Sequence, residues 1–563
     1  MAHKPTEVIA LDGPRFEALL QRVEAGTLAA DDLATIHAVL ESYFYVTQLI
    51  DRKNTSLARL RQLLFGAKTE KTADVIGRDT PAATEPSSPS HTAALEASDS
   101  PPAVEPPQPH KPGHGRRGAQ DYPGAAHRAV RHESLQAGDA CPACARGTVY
   151  ERHQPGVLIR FVGQPPIQAT VYELQKLRCQ LCGQVFTAPA PPEAGAAKYD
   201  ATVGSMLALL KYGNGFPFHR EAKLQQNLQI PLPASTQWEL LAALVPLFQP
   251  ILEALIRQAA QGELLHNDDT RMKILSRLSL LKQQRIERAS AASTDEAITP
   301  SGRQGTFTSG IVALHAERPI ALFFTGARHA GENPAEVLRR RATDLPPPIQ
   351  MCDALSHNRP ADFATILAHC LAHARRQFVD VHDRFPSECA YVLQVFEAVY
   401  RHDAQAREQR LSAAARLQYH QIESAPLLDE LRTWLKRQVE EKLVERNSGL
   451  GAAIEYLRKH WEPLTLFLRV AGAPLDNNVV ERALKKAILH RKNALFYKTQ
   501  RGADVGDLYM SLIHTCELNG ANPFDYLTQV QRHAEQVAAA PECWLPWNYR
   551  EQLEGKGRCP DAA

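Results

Sequence analysis

The chain has 563 residues, 44% of them hydrophobic and 22% charged, a balance that suits a folded protein of roughly two to four structural units and excludes a disordered one. Its 64 basic and 62 acidic residues nearly cancel to a net charge of +2, so any affinity for a polyanion has to be local. No apolar run reaches the ~18 residues that span a bilayer, no signal-peptide core opens the chain, and ten cysteines over this length do not make a secreted disulfide framework. A cytoplasmic protein with no membrane partner is therefore expected.

Between Leu33 and Leu64 one heptad position holds Ile36, Tyr43, Ile50, Leu57 and Leu64, and the other holds Leu33, Leu40, Thr47, Asn54 and Arg61. A seam with polar residues on one side predicts a coiled coil in residues 1–72 and a homo-oligomer built through it. An amphipathic helix packed on its own domain fits the same pattern. Residues 73–118 are rich in Pro, Ser, Ala, Thr and Glu, bury too little apolar surface to offset chain entropy, and read as a disordered linker. From His110 to His132 stand Lys111, Arg116, Arg117, Arg128 and Arg131 with a single acid, Asp121. Arg116 and Arg117 head the candidates for phosphate contact in this stretch.

Within 119–192, Cys141-Pro-Ala-Cys144 and Cys179-Gln-Leu-Cys182 are two CxxC turns separated by 34 residues. Each short turn aims two thiolates at one point, and together they complete the tetrahedron that Zn²⁺ prefers, with no open position for a substrate water. A thioredoxin-like redox site needs one CxxC and a βαβ pattern, and buried free cysteine does not account for the doubled spacing. A structural zinc ribbon is expected. Residues 193–260 are helical by pattern: FHREAKLQQNL, a turn from Gln229 to Pro233, then ASTQWELLAALV resemble a helix-turn-helix, and two ordinary packed helices fit as well.

From 261 to 530 the character changes. ELLHNDD, TFTSGIVALH, PIALFFTG and PIQMCD read as strands, whereas 361–470 reads as long helices without strands, leaving 531–563 as a tail. Asp268 ends an apolar run, Asp353 ends the strand PIQMCD, and Glu481 lies on a helix that Asp476 is placed to cap. Two strand-borne aspartates and one helix-borne glutamate can converge at a sheet edge, and few carboxylates suffice to hold Mg²⁺ or Mn²⁺, which take oxygen ligands. Two such ions can serve an in-line phosphoryl displacement. Each acid also has a plainer reading, as a solvated strand end, a turn cap, or an i,i+4 partner of Lys485. Arg482 to Arg501 contains seven Lys/Arg and no acid, so Arg482, Lys485, Lys486, Arg491 and Lys492 are candidate DNA contacts. Cys370-x-x-His373 has a zinc-like form but supplies only two ligands.

The segment LDNNVVERALKKAILHRKNALFYKTQRGADVGDLYMSLIHTCELNGANPFDYL resembles the C-terminal signature of the insertion-sequence-66 family of transposases. HNDDTRMKIL resembles that family's first-aspartate motif and CLAHARRQF its element after the second aspartate. LRQLLFGAKTEK, CPAC…CQLC and WLPWNY are also similar. The resemblance implies an α/β plus α architecture: a ribonuclease-H-like catalytic core with a large helical insertion at 361–470. It implies an acidic triad of the DDE type, Asp268, Asp353 and Glu481, as metal ligands. The first motif here reads Asp268-Asp269-Thr270 where the family pattern has Asp-Glu-Thr, which leaves two adjacent aspartates as candidates. The function implied is metal-dependent cleavage of double-stranded DNA at the ends of an insertion sequence and strand transfer into target DNA, in a bacterial, nucleoid-associated setting and possible company of accessory proteins from the same element. The alternative is a non-catalytic DNA-binding regulator derived from a transposase.

Overall fold

The computed structural model describes residues 13–25, 27, 29, 31–39, 134–144, 146–150, 164, 166–178, 185–291, 305–360 and 362–555. Most of the coiled-coil seam, the 73–118 segment, Arg116, Arg117, Cys179 and Cys182 lie outside these residues. Among the described residues, 134–207 and 216–243 form one unit, and 13–39, 208–215 and 244–555 form another.

In the smaller unit the first CxxC sits on a tight turn. The Cys141 N–H donates to the Gly147 carbonyl at 2.7 Å, and Gly138, at φ +103°, donates its N–H to the Val149 carbonyl at 2.8 Å. Strands β1 (Lys176–Arg178) and β2 (Val185–Thr187) pair antiparallel, with Leu177 opposite Phe186, and flank the segment that carries the second CxxC. The helix Phe218–Asn227 follows, then a turn in which Gln229 takes φ +60°, then the helix Ala234–Ala260, whose residues from Leu244 onward belong to the larger unit. The second helix is longer than its sequence signal and continues through Pro246 and Pro250. It has the length and apolarity of a membrane span, but Phe248, Ile251 and Leu255 are wholly buried in protein.

The larger unit is built on β3 (Leu264–Arg271), β4 (Phe307–His315), β5 (Arg318–Gly326), β6 (Ile349–Cys352) and β7 (Ile366–His369), in the order β5-β4-β3-β6-β7. β4 is antiparallel to both β3 and β5, while β6 runs parallel to β3 and β7 parallel to β6. Four strands fall where the apolar runs place them. The fifth corrects the reading of 361–470 as free of strands: Ile366–His369 has four residues, too few to display a period of two, and runs directly into the helix Leu371–Val379.

A sheet edge leaves alternate N–H groups without partners. At β5 that edge is covered by side chains of the helix Gln500–Leu518 at four-residue spacing. Asp507 Oδ2 accepts from the Thr325 N–H at 2.5 Å, Ser511 Oγ from Phe323 at 3.0 Å, and Thr515 Oγ1 from Ala321 at 3.1 Å. Asn519 extends the row by donating to the Pro319 carbonyl at 2.8 Å. Helix period and strand period meet here, because four residues of helix rise about 6 Å and two residues of strand about 6.6–6.8 Å.

Beyond β7 the chain builds a helical layer: Leu371–Val379, Pro386–Glu408, Ala413–Glu423, Ala425–Glu440 and Gly449–Lys459. Phe378, Val392, Phe396, Leu431, Leu435 and Ile454 are buried together in it. Asp403, buried on its helix, receives Arg407, Arg416 and His420, which ties Pro386–Glu408 to Ala413–Glu423. Those partners hold its carboxyl at about 2 against the opposing effect of burial.

Burial pushes the Asp507 carboxyl up to about 8, against the lowering effect of the Thr325 donors. A raised pKa contributes stability that is complete below the unfolded value and is lost as pH rises through the folded one. Relative to Asp507→Asn, the wild type should therefore lose stability between about pH 4 and pH 8 in urea unfolding. Ser511→Ala and Thr515→Val should each cost ~1–3 kcal/mol, because each leaves a buried N–H without a partner.

Candidate active site

Asp268 lies opposite Gly310 across the β3–β4 pair, and directly opposed residues project from the same sheet face. A Cβ added to Gly310 would meet Leu484 Cγ and Cδ2 at 3.0 Å and Val480 Cγ2 at 3.2 Å. That face is therefore covered by the helix Asn478–Ala494, which carries Glu481 in its first turn. The absence of a side chain at Gly310 lets this helix lie close against the sheet beside Asp268.

The parallel register between β3 and β6 pairs Leu264 with Ile349 and His266 with Met351. The ladder ends two residues before Asp268 on one side and two before Asp353 on the other. Asp353 is the first residue past β6. Its Oδ1 accepts from the Leu355 N–H at 3.2 Å and from the Asn358 side-chain amide. The Asn358 carbonyl in turn accepts from Asn267 at 2.9 Å and Gln350 at 2.8 Å, and Gln350 also donates to Asn267 Oδ1 at 2.8 Å. This buried amide network fixes the turn that aims Asp353.

Asn477, fully buried, performs the same service for Glu481. Its amide donates to the Asn267 carbonyl at 3.1 Å, its Oδ1 contacts His266 Nδ1 at 3.0 Å, and its N–H donates to Cys370 Sγ at 3.2 Å. One residue thus pins the helix start to β3 and to the segment after β7. Asp476, the expected cap, lies one residue earlier and accepts from the Asn478 N–H at 3.2 Å. His373 Nδ1 is 3.7 Å from Glu481 Oε1.

The three acids feel one another. Burial pushes the Asp268 carboxyl up to about 7 even though its Oδ1 accepts from the Asp269 N–H at 2.8 Å, and the charges of Asp353, Asp269 and Glu481 raise it further. Oxygen ligands crowded until one of them resists ionisation form a donor set that suits a hard divalent cation. Asp269 points to the opposite face: it pairs with Ser309, and its Oδ2 accepts from the Ala330 N–H at 3.3 Å.

The basic set divides. Arg482, Lys485 and Lys492 are exposed. Lys486 instead pairs with Glu517 at 2.8 Å, and Arg491 donates to Thr270 Oγ1 at 3.0 Å and to the Arg271 carbonyl at 2.5 Å. Lys486 and Arg491, also candidate DNA contacts, thus have protein partners, which Arg482, Lys485 and Lys492 are not shown to have. At Cys144 the N–H groups of Arg146 and Gly147, then the Cys141 thiol, pull the pKa down. Asn477, Asn358 and Gly310 escaped the sequence reading, and only the pair Asn477-Asn478 ahead of a helix hinted at the first of them.

Residues 197–505, more than half of the chain and inclusive of all three acids, match the family model described as Transposase IS66 family. The chain belongs to that family. The IS66 chain is 28% identical over 398 residues to the uncharacterized protein y4hP of Sinorhizobium fredii (strain NBRC 101917 / NGR234), a span of 67% of each chain. It is 28% identical over 409 residues to the uncharacterized protein y4jD of the same organism, covering 67% of this chain and 72% of that one. A third protein from it, y4qI, is 31% identical over 194 residues, about a third of each chain. Membership of a transposase family implies that the chain binds DNA.

If Gly310 is what admits the helix, Gly310→Val should displace Val480, Leu484 and with them Glu481, while the sheet persists. Overpacking of this kind costs ~1–3 kcal/mol. Circular dichroism should show a folded protein with a lowered melting temperature, and DNA cleavage should fall far more than a loss of that size explains.

Proposed function

We propose that this chain is a DDE transposase with a ribonuclease-H-like core, cutting DNA at the ends of its element and joining them to target DNA. The observation that supports it best is that Asp268 on β3 lies opposite Gly310, where the helix carrying Glu481 packs, while Asp353 directly follows the neighbouring parallel strand β6. The order β5-β4-β3-β6-β7, with β4 alone reversed within it, is consistent with that core. Asp268, Asp353 and Glu481 would hold Mg²⁺ or Mn²⁺, and the burial, with the neighbouring acid charges, that pushes the Asp268 carboxyl up to about 7 suits it to a cation partner. Two bound ions would supply activation of the attacking oxygen and neutralisation of the leaving one.

The chain's own residues prepare the site. Asn358 and the Leu355 N–H orient Asp353 before DNA arrives, and Asn477 sets the position of Glu481, so little reorganisation is left for the reaction. In the first step water attacks a phosphodiester at the element end, and a phosphorus–oxygen bond forms as the bond to the departing 3′-oxygen breaks. In the second, that 3′-hydroxyl attacks a target phosphodiester, again exchanging one such bond for another. Exposed Arg482, Lys485 and Lys492 would bind phosphates near the acids. The paired knuckles Cys141, Cys144, Cys179 and Cys182 would hold one structural Zn²⁺, for which the lowered pKa of Cys144 speaks. Self-association through the heptad seam would bring two element ends together.

Ala in place of Asp268, Asp353 or Glu481 should abolish Mg²⁺-dependent nicking and joining of element-end DNA yet leave gel-shift affinity within about twofold, since binding draws on Lys/Arg contacts. Asp269→Ala should retain cleavage; activity in Asp268→Ala with none in Asp269→Ala would reverse the assignment of the face. A non-catalytic regulator would show no nicking in the wild type.

Neutralising Arg482, Lys485 and Lys492 together should flatten the dependence of log K on log salt by up to ~0.9 per lost phosphate contact, at similar cost on all sequences. An unchanged slope removes this helix from the DNA path. Neutralising Lys486 or Arg491 should instead lower stability and leave the slope alone.

A further inference from the structure

Two groups of metal-ligating side chains occur among the described residues. One, Cys370 with His373 and Glu481, belongs to the site already described. The other lies on the opposite face of the sheet. It consists of Asp269 on β3, His329 in the loop after β5, and His357 in the turn after β6. Their ligand atoms are all within 4.8 Å of one another.

From these three residues we infer a second metal site in the larger unit, a two-histidine, one-carboxylate site for a divalent transition metal of the Zn²⁺ or Co²⁺ class. The geometry is that of donors more than of a hydrogen-bonded pair. His329 Nδ1 stands 3.4 Å from Asp269 Oδ2, long for a charge-assisted hydrogen bond, which closes to about 2.7–2.9 Å. Donors in a tetrahedral site with bonds of about 2.0–2.2 Å lie about 3.3–3.5 Å apart. Imidazole nitrogens select the borderline metals over Mg²⁺, and this group sets two of them beside the Asp269 carboxylate.

The surroundings are prepared for it. The His329 ring is held against Phe307, with centroids 4.3 Å apart, and packs 5.1 Å from the ring of His357. The Gly331 N–H donates to the His357 carbonyl at 2.9 Å, and a Cβ at Gly331 would collide with the carbonyls of His357 and Arg359. Backbone packing thus brings the two histidine-bearing segments together before any ion binds. Asp269 Oδ2 keeps the Ala330 N–H as a supporting donor, the kind of outer contact that orients a ligand. His357 is exposed, and its ligand atom already lies within 4.8 Å of those of Asp269 and His329.

An ion here would tie β3, the loop after β5 and the turn at 353–358 to one point. That turn also supplies the Leu355 and Asn358 donors to Asp353. The site is therefore a clip on the geometry of the second acid of the triad. This consequence rests on the proposed role of Asp353, whereas the metal binding does not.

Co²⁺ titration of the full chain, followed by optical absorption, tests the site independently of cleavage. Thiolate ligation announces itself by sulfur-to-metal charge transfer, so Co²⁺ in the ribbon is distinguishable from Co²⁺ held by nitrogen and oxygen. Wild type and Asp268→Asn should each take up an equivalent with ligand-field bands and no charge transfer. His329→Ala and His357→Ala should lose it, with affinity down by more than about tenfold. Zn²⁺ in excess should raise the melting temperature of the wild type and not that of His357→Ala, whose exposed side chain is not needed for folding. If both histidine variants bind Co²⁺ as the wild type does, Asp269 and His329 are an ion pair only. If Asp268→Asn loses the same equivalent as the histidine variants, the ion belongs to the other face; either result overturns the inference.

Discussion

The fit of the helix Asn478–Ala494 onto β3 and β4 is the contact on which the candidate site depends. Glu481 comes from a part of the chain separated from β3 by the whole helical layer, so nothing local holds it near Asp268. Gly310 removes the side chain that would keep the helix away, and Val480 and Leu484 fill the space. Asn477 then fixes position along the strand through three bonds, to Asn267, His266 and Cys370. Apolar packing sets how close the helix comes, and directional bonds set its register.

Charge is arranged by the alternation of a strand. Asp268 and Asp269 are adjacent in sequence and face opposite ways, which gives them separate partners. Burial pushes the Asp268 carboxyl up to about 7, and the charges of Asp353, Asp269 and Glu481 raise it further. Asp269 meets donors instead, in the Ala330 N–H and the His329 ring. Two neighbouring carboxylates thus acquire different chemistry from the pleat alone. The far edge of the sheet is treated as carefully, since Asp507, Ser511 and Thr515 replace the strand that β5 lacks.

Much of this was legible in sequence because it rests on local pattern. Apolar runs gave β3, β4, β5 and β6, and the acids at their ends stood out against them. β7 was hidden because four residues leading into a helix show no period of their own. Nothing in the sequence says what approaches Gly310, and the pattern places the helix cap at Asp476, whereas Asn477 occupies it. Its actual bonds reach residues 107 and more positions away, a separation no spacing rule spans. The polar stripe Asp507-Ser511-Thr515-Asn519 is visible once its helix is placed, but it had been passed over within an apolar segment. Charge alone marks Lys486 and Arg491 in the sequence, and only the structure shows their partners, Glu517 and the end of β3.

The central claim is that three carboxylates meet on the face of β3 that carries Asp268. A crystal structure of the full chain grown with Mn²⁺, with anomalous scattering used to locate the ions, tests it most directly. The account predicts anomalous density among Asp268, Asp353 and Glu481. Absence of density there at saturating Mn²⁺, whatever is bound at Asp269, would contradict it.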